Sequence, residues 1–127
     1  MITINTRRGL PVFRRQDVVR HCEKQLLDVA RQHVFDVLAY CFMPDHLHVL
    51  LQGSADSRLV SFMQRFKQVT GYGFKRRQGQ PLWQRSYYDH VLRREEDKEE
   101  MAQYIWNNPV RAGLVTSLDE YPFSGPR

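Results

Sequence analysis

Two histidines separated by one residue, His46 and His48, are the sharpest chemical feature of this 127-residue chain. They open a run at residues 46–52 that is rich in apolar residues and typical of a strand. Because successive side chains on a strand point to opposite faces, the two imidazoles share one face, whereas Leu47 and Val49 face the other way, towards a core. Two imidazoles presented together by a strand supply half of a metal site. The pattern by itself leaves open a zinc site or an ordinary pair of surface histidines.

Tyr104 is the second candidate for chemistry, and it lies late in the chain in a stretch expected to be helical. Residues four apart share a helix face, so Tyr104 and Asn108 can address one site. A phenol is a suitable nucleophile for cleaving a phosphodiester once a metal polarises the phosphate. Because its unperturbed pKa is about 10, the phenolate is also a good leaving group, and a covalent link would conserve the bond energy for rejoining. The alternative is a tyrosine at the rim of a helix–sheet core.

The elements that must position these residues alternate in type along the chain. The hydrophobic patterns predict four strands, at residues 2–6, 35–42, 46–52 and 87–93. They predict three helices, at residues 16–32, from about 59 with Ser57 as a candidate cap, and from about 95 to about 107. This order predicts an α+β domain with a mainly antiparallel sheet and helices packed on one face. The sequence contains no internal repeat, low-complexity tract or long linker, so we expect a single domain over residues 1–127.

Composition and charge limit the class of protein. Apolar residues make up 42% of the chain and charged residues 26%, as in soluble globular proteins. No apolar run approaches the roughly 20 residues that a membrane span needs, and the first residues lack the pattern of a signal peptide, so we expect a cytoplasmic protein without membrane contact. The formal net charge is +5 and the isoelectric point about 9.5, which favours a polyanionic partner such as nucleic acid.

Basic and aromatic residues are interleaved between residues 65 and 85. Such a mixture suits single-stranded nucleic acid, because cationic side chains track the phosphates while rings stack on the bases. The alternative is a solvated helix end and loop whose aromatic rings turn into the core. The candidate DNA-binding residues are Arg65, Lys67, Lys75, Arg76, Arg77, Trp83 and Arg85, together with Arg111, which follows soon after Tyr104.

Two motifs give the chain a family resemblance. Residues 43–51, Met-Pro-Asp-His-Leu-His-Val-Leu-Leu, and residues 104–115, Tyr-Ile-Trp-Asn-Asn-Pro-Val-Arg-Ala-Gly-Leu-Val, resemble the signatures of the HUH single-tyrosine transposases, and most closely those of the REP-associated tyrosine transposases. Residues 81–85 and 121–124 are similar to two further segments of that family. The likeness spans nearly the whole chain in the right order and spacing, although relatives often begin with an aromatic-His-Val-Thr segment that this chain lacks.

The resemblance implies a ferredoxin-like fold and a metal-dependent transposase that cleaves and rejoins single-stranded DNA, with short hairpins of the REP kind as targets. It implies that His46 and His48 hold a divalent ion, Mg²⁺ or Mn²⁺, and that Asn108 supplies a third, polar ligand. Tyr104 would be the nucleophile and would form a 5′-phosphotyrosine link. The enzyme would act as a monomer or a homodimer, with Tyr104 serving either its own subunit's histidines or those of a partner.

Three other functions stay open at this point. A non-cutting module that binds DNA hairpins would not need the two histidines, Tyr104 and Asn108 together. A replication or mobilisation nickase of the same superfamily would keep the chemistry, but residues 108–115 favour the transposase branch. A zinc hydrolase would account for the histidines and leave the late motif unexplained.

Overall fold

A computed structural model describes residues 1–92 and 95–126 of the chain. These residues form a five-stranded antiparallel sheet flanked by helices. The strands are β1 (Ile2–Asn5), β2 (Asp36–Met43), β3 (His46–Gln52), β4 (Tyr88–Asp89) and β5 (Ser124–Gly125), in the spatial order β4-β1-β3-β2-β5. The helices are α1 (Gln16–Gln32), α2 (Leu59–Gln78), α3 (Glu95–Trp106) and the short α4 (Asn108–Arg111). The first four strands and two helices follow one another as β1-α1-β2-β3-α2-β4, which is the connectivity of a ferredoxin-like domain. The predicted α+β class is therefore confirmed.

The two faces of the sheet are covered by different helices. On one face, α1 and α2 pack on a core that contains Ile4, Phe42 and Leu47. On the opposite face, Ala102 and Ile105 of α3 pack on residues of β2 and β3. The helix that carries Tyr104 thus lies across the sheet from the other two, on the face to which His46 and His48 point.

Most predicted elements are confirmed to within a residue or two, and α1 and β3 have the predicted bounds. The predicted cap of α2 is wrong, because Ser57 Oγ donates a hydrogen bond to the Val34 carbonyl and accepts one from Ser54 N instead. The strand predicted at residues 87–93 is shorter, and its last residue, Arg93, lies outside the described residues. Strand β4 pairs antiparallel with β1 as far as His90, whose backbone bonds to Met1.

The segment between α2 and β4 is fixed to α2 by a buried hydrogen-bond relay. Trp83, which is 6% exposed, donates its indole N–H to Thr70 Oγ1 over 2.8 Å, and Thr70 donates to the Phe66 carbonyl over 2.6 Å. Lys67 Nζ donates to the carbonyls of Gln84 and Arg85, each over 2.8 Å. Burial lowers the pKa of Lys67 from its ordinary value. These contacts make residues 83–85 a fixed part of the fold.

None of the helices in the described ranges has both the length and the apolar character needed to cross a membrane.

The relay between Trp83 and Thr70 provides a test of this arrangement. We expect Thr70→Val to lower the free energy of unfolding by about 1–3 kcal/mol, because it leaves the buried indole N–H without an acceptor. In a Trp83→Phe background, Thr70→Val should lower the free energy of unfolding much less, since there is then no indole N–H that lacks an acceptor. Urea denaturation of the two single variants and the double variant measures this coupling. If the losses of unfolding free energy in the two single variants add up to the loss in the double variant, the relay contributes nothing to stability.

Candidate active site

His46 and His48 lie on the central strand of the sheet. Strand β3 is paired with β1 on one side and β2 on the other, so Asn5 and Met43 lie opposite His46, while Thr3 and Cys41 lie opposite His48. Both histidines are half-buried, and their neighbours Leu47 and Val49 are fully buried on the reverse face. The predicted alternation of the strand is confirmed.

The two imidazoles converge on a single point. His46 Nε2 and His48 Nε2 are 3.1 Å apart, with the rings at 80° to each other. The other ring nitrogen of each histidine, Nδ1, has its own partner. His46 Nδ1 is 2.7 Å from Asp45 Oδ1, and His48 Nδ1 is 3.0 Å from Thr3 Oγ1. When both Nδ1 atoms carry the hydrogen, both Nε2 atoms present lone pairs to the same space. Partners of this kind fix the tautomer and the ring orientation of metal-binding histidines.

Burial also keeps His48 in the form that a metal requires. Desolvation lowers the pKa of His48 to about 4, and the neighbouring His46 and Arg111 act in the same direction. The imidazole is therefore neutral at physiological pH, and only a neutral imidazole can donate its lone pair to a cation.

The spacing of the imidazoles fits a shared divalent ion. Two ligands at right angles, each about 2.1 Å from one ion, are about 3.0 Å apart, close to the 3.1 Å between the Nε2 atoms. Within the described residues, no group of three or more His, Cys, Asp or Glu side chains is arranged to hold a metal. Asn108, the third ligand that the family resemblance implies, stays a prediction.

Arg111 contacts both Tyr104 and Asn108. Its guanidinium carbon lies 3.7 Å from the centre of the Tyr104 ring, which is close enough for a cation–π interaction. Its Nη2 donates to the Tyr104 carbonyl over 2.7 Å and to Asn108 Oδ1 over 3.2 Å. Its charge contributes to the lowered pKa of His48. Helix α3 ends at Trp106 and Asn108 begins α4, so these Arg111 contacts hold together two side chains that belong to different helices.

The Tyr104 side chain is 50% exposed and borders a cleft of about 670 Å³. Three carboxylates, those of Asp89, Asp97 and Glu100, line the same cleft. In the described part of the chain, neither His46 nor His48 lines it. The predicted nucleophile is thus accessible, on a helix that packs on the same face of the sheet as the imidazole pair.

The C-terminal segment holds α3 against the sheet. Trp106 at the end of α3 donates its indole N–H to the Gly125 carbonyl over 3.0 Å, and Gly125 belongs to the edge strand β5. Tyr121 donates its hydroxyl to the Phe42 carbonyl over 2.5 Å. The position of Tyr104 therefore depends on residues 121–125 as well as on the apolar contacts of α3.

The candidate DNA-binding residues fall into two groups. Lys67 and Trp83 are engaged within the protein, as described above, and Trp83 is too buried to stack on a base. Arg111 is occupied by Tyr104 and Asn108. The others lie on the surface: Arg65, Lys75, Arg76 and Arg77 on α2, and Arg85 after the buried Trp83.

Asp45 and Thr3 are site residues that the sequence analysis did not identify. Asp45 directly precedes His46, and its short carboxylate could have signalled a partner for the imidazole. Thr3 gave no local signal, because its contact with His48 depends on the register between β1 and β3. Asp89 and His90 line the cleft beside Tyr104.

The chain is similar to proteins of known family. The transposase IS200-like family model matches residues 1–108. A REP-associated tyrosine transposase of Escherichia coli K12 is 26% identical, over 97% of this chain and 72% of its own length. A putative REP-associated tyrosine transposase of Haemophilus influenzae is 24% identical, over 85% of this chain and 68% of its own length.

Two solved structures share the fold. The structure of a REP-associated tyrosine transposase bound to a REP hairpin superposes with a TM-score of 0.76 and 25% identity, covering 97% of this chain and 73% of the other. A putative transposase from Deinococcus radiodurans R1 superposes with a TM-score of 0.61 and 23% identity, covering 84% of this chain and 86% of the other. The chain belongs to the IS200-like transposase family, with REP-associated tyrosine transposases as its relatives, and is an enzyme that acts on DNA.

Proposed function

We propose that this transposase cleaves and rejoins single-stranded, hairpin-bearing DNA through a 5′-phosphotyrosine intermediate on Tyr104. The observation that carries the proposal is the pair of Nε2 atoms 3.1 Å apart, each imidazole held from behind by Asp45 or Thr3. A pair of surface histidines with no ligand would not need such support. Transposases of this family generally use a divalent metal ion, and His46 and His48 would hold it here, as Mg²⁺ or Mn²⁺, with Asn108 as third ligand.

The bound ion would polarise the scissile phosphate. The Tyr104 oxygen would attack the phosphorus and lose its proton to solvent, and a new bond would join the tyrosine to the 5′-phosphate. The bond from phosphorus to the 3′-oxygen would break, and that oxygen would leave as a free 3′-hydroxyl. Rejoining reverses these steps, because an incoming 3′-hydroxyl displaces the tyrosine. No nucleoside triphosphate is consumed, since the phosphotyrosine bond conserves the energy of the phosphodiester bond.

A DNA hairpin is the proposed partner for two reasons. The structural relative named above was solved with a REP hairpin. The net charge of +5 favours a nucleic acid, and Lys75, Arg76 and Arg77 lie together at the exposed end of α2. With such a substrate the protein would act in the cytoplasm, and residues 1–127 would serve as one transposase domain.

We propose that Tyr104 serves the histidines of its own subunit. Helix α3 packs on the imidazole face of the sheet within one chain, and the charge of Arg111, which contacts Tyr104 and Asn108, lowers the pKa of His48. A monomer would then contain a complete site, and a homodimer would contain two.

The nucleophile is tested with Tyr104→Phe. We expect wild-type protein, Mn²⁺ and labelled hairpin oligonucleotides to give a covalent adduct that survives denaturation, because the phosphotyrosine bond is covalent. Tyr104→Phe should abolish the adduct, and EDTA should prevent it. Tyr88→Phe is the matched control, since Tyr88 is 65% exposed and should be dispensable.

An adduct that persists in Tyr104→Phe would place the nucleophile elsewhere. Hairpin binding with no adduct under any condition would instead identify a non-cutting DNA-binding module.

The metal site is tested by removing the support behind His48. We expect Thr3→Val to weaken Mn²⁺ binding by about 10- to 100-fold, because it removes the hydroxyl that orients the ring. Thr3→Ser keeps the hydroxyl and should bind nearly as the wild type does. Titration calorimetry measures both affinities without DNA. Mn²⁺ should also bind more tightly than Mg²⁺, which prefers oxygen ligands. Unchanged Mn²⁺ affinity in His48→Ala would rule out the site.

Mixing two inactive variants tests which subunit supplies the tyrosine. Tyr104→Phe lacks the nucleophile, whereas His48→Ala lacks a ligand but keeps Tyr104. If each tyrosine serves its own histidines, equal amounts of the two variants should give no adduct beyond that of either alone. Recovery of the adduct in the mixture would mean that Tyr104 acts on a partner's site.

A further inference from the structure

Three arginines border a groove that begins beside the imidazole pair. The first part of this groove is a cleft of about 640 Å³ lined by Arg7, Arg8, Arg85 and Asp45. Asp45 also contacts His46, and Asn5, which lies opposite His46 in the sheet, lines the same cleft. The cleft therefore adjoins the proposed metal site.

A second cleft of about 370 Å³ continues the first. The two share Arg7 and Arg85, and the second extends to Tyr72 and Lys75 on α2. We call the two together the arginine groove. It runs from Asp45 at one end to Lys75 at the other.

The guanidinium groups of the groove are exposed and available to bind a ligand. Within residues 1–92 and 95–126, the side chains of Arg7, Arg8 and Arg85 make no hydrogen bond or ion pair, in contrast to Arg111, and all three are exposed. Among the described residues, Asp45 is the only carboxylate in the lining of either cleft, and its Oδ1 faces His46. The groove is therefore positively charged along its length.

The walls of the groove are rigid parts of the fold. Thr6, which is buried, bridges to Trp83, and its hydroxyl bonds to the carbonyls of Leu10 and Asp45. Backbone bonds join Arg7 N to the Leu82 carbonyl and Gln84 N to the Asn5 carbonyl. The cleft walls are thus held in place before any ligand arrives, as in a built binding site and unlike mobile surface arginines.

The backbone conformation at Arg8 is unusual for an arginine. Arg8 has φ 58° and ψ 20°, in the left-handed region, and the next residue is Gly9 with φ 66°. Glycine adopts this conformation at lower cost than arginine does. The turn therefore keeps an arginine at a position where the backbone conformation favours glycine.

An exposed aromatic ring lies at the far part of the groove. Tyr72 is 66% exposed, and the guanidinium of Arg76 lies 5.7 Å from its ring centre. Exposed rings beside cationic groups are the usual means of holding single strands, because the bases stack and the phosphates are neutralised.

From these features we infer that the arginine groove binds the single-stranded stretch of DNA next to the cleaved phosphate. The inference rests on the proposed function, because it takes the imidazole pair as the place where that phosphate lies. Arg7, Arg8 and Arg85 contact the phosphates of the strand nearest to His46, and Tyr72 stacks on a base further along.

The test measures binding alone, in EDTA, so that neither metal nor cleavage is needed. The probe is a labelled strand of twelve thymidines, compared with a blunt DNA hairpin that has no single-stranded flank, and fluorescence anisotropy reports affinity at several salt concentrations. Loss of the covalent adduct would refute the proposed chemistry and leave this measurement untouched, so the two ideas fail separately.

We expect Arg7→Gln/Arg85→Gln to weaken binding of the thymidine strand by at least tenfold. The slope of log affinity against log salt should fall by about 1.4, since each phosphate contact on a single strand contributes about 0.7. Lys24→Gln/Arg31→Gln is the matched control, with the same change of charge on exposed positions of α1. It should change the slope by less than half as much.

Two further variants separate charge, stacking and stability. Arg8→Gly removes a guanidinium where the backbone suits glycine, so binding should weaken while the melting temperature stays within about 4 °C of the wild type. Tyr72→Ala should lower affinity about tenfold with an unchanged salt slope, because stacking releases no counterions. Tyr88→Ala, at an exposed tyrosine outside the groove, should have no effect.

Two results would overturn the inference. Equal losses in the arginine variant and the lysine–arginine control would mean that only the total charge matters. An equal loss of affinity for the blunt hairpin would mean that the groove takes duplex DNA and not a single strand.

Discussion

The register of β3 is the constraint on which the rest of the site depends. Leu47 and Val49 are fully buried against α1 and α2, so the strand cannot slip by one residue without turning both into solvent and both histidines into the core. Because β3 is paired on both sides, its register also decides which residues meet the imidazoles. Thr3 reaches His48 because β1 is locked in the same way by Ile2 and Ile4. The convergence of two Nε2 atoms is thus a consequence of core packing on the opposite face.

The tyrosine helix is held more weakly than the histidines and by different means. Of the side chains of α3 that the structure describes, only Ala102, Ile105 and some partly buried neighbours pack on the sheet, whereas two large helices cover the other face. The C-terminal segment compensates, since Trp106 and Tyr121 join α3 and β2 to residues that are far away in sequence. Arg111 then sets the local geometry through the Tyr104 ring and Asn108. On the proposed function, this division would give a rigid position for the phosphate and a more adaptable position for the nucleophile, which would have to approach the phosphate and then leave it.

The sequence predicted what depends on local pattern and missed what depends on long-range pairing. The alternation in β3, the periodicity of α1 and the end of α3 near Pro109 are local, and the structure confirms them. Ser57 has the right residue type for a helix cap, yet its hydroxyl bonds to Val34, 23 residues away in the chain. Lys67 and Trp83 belong to a stretch whose composition suits DNA, but their partners Gln84 and Thr70 lie across a loop. Composition showed that the region is basic and aromatic, whereas only the fold shows which of its side chains are free.

The net charge of +5 is distributed unevenly around the site. Asp89, Asp97 and Glu100 line the cleft beside Tyr104, and arginines line the groove that starts beside His46. A polyanion is therefore repelled from one approach and attracted to the other, and clefts with walls of low dielectric strengthen both effects. Single-stranded DNA would accordingly reach the imidazole pair from the arginine side, with Tyr104 approaching from the acidic side. The acidic cleft would then act on orientation more than on affinity, because its carboxylates oppose the reversed placement of the strand.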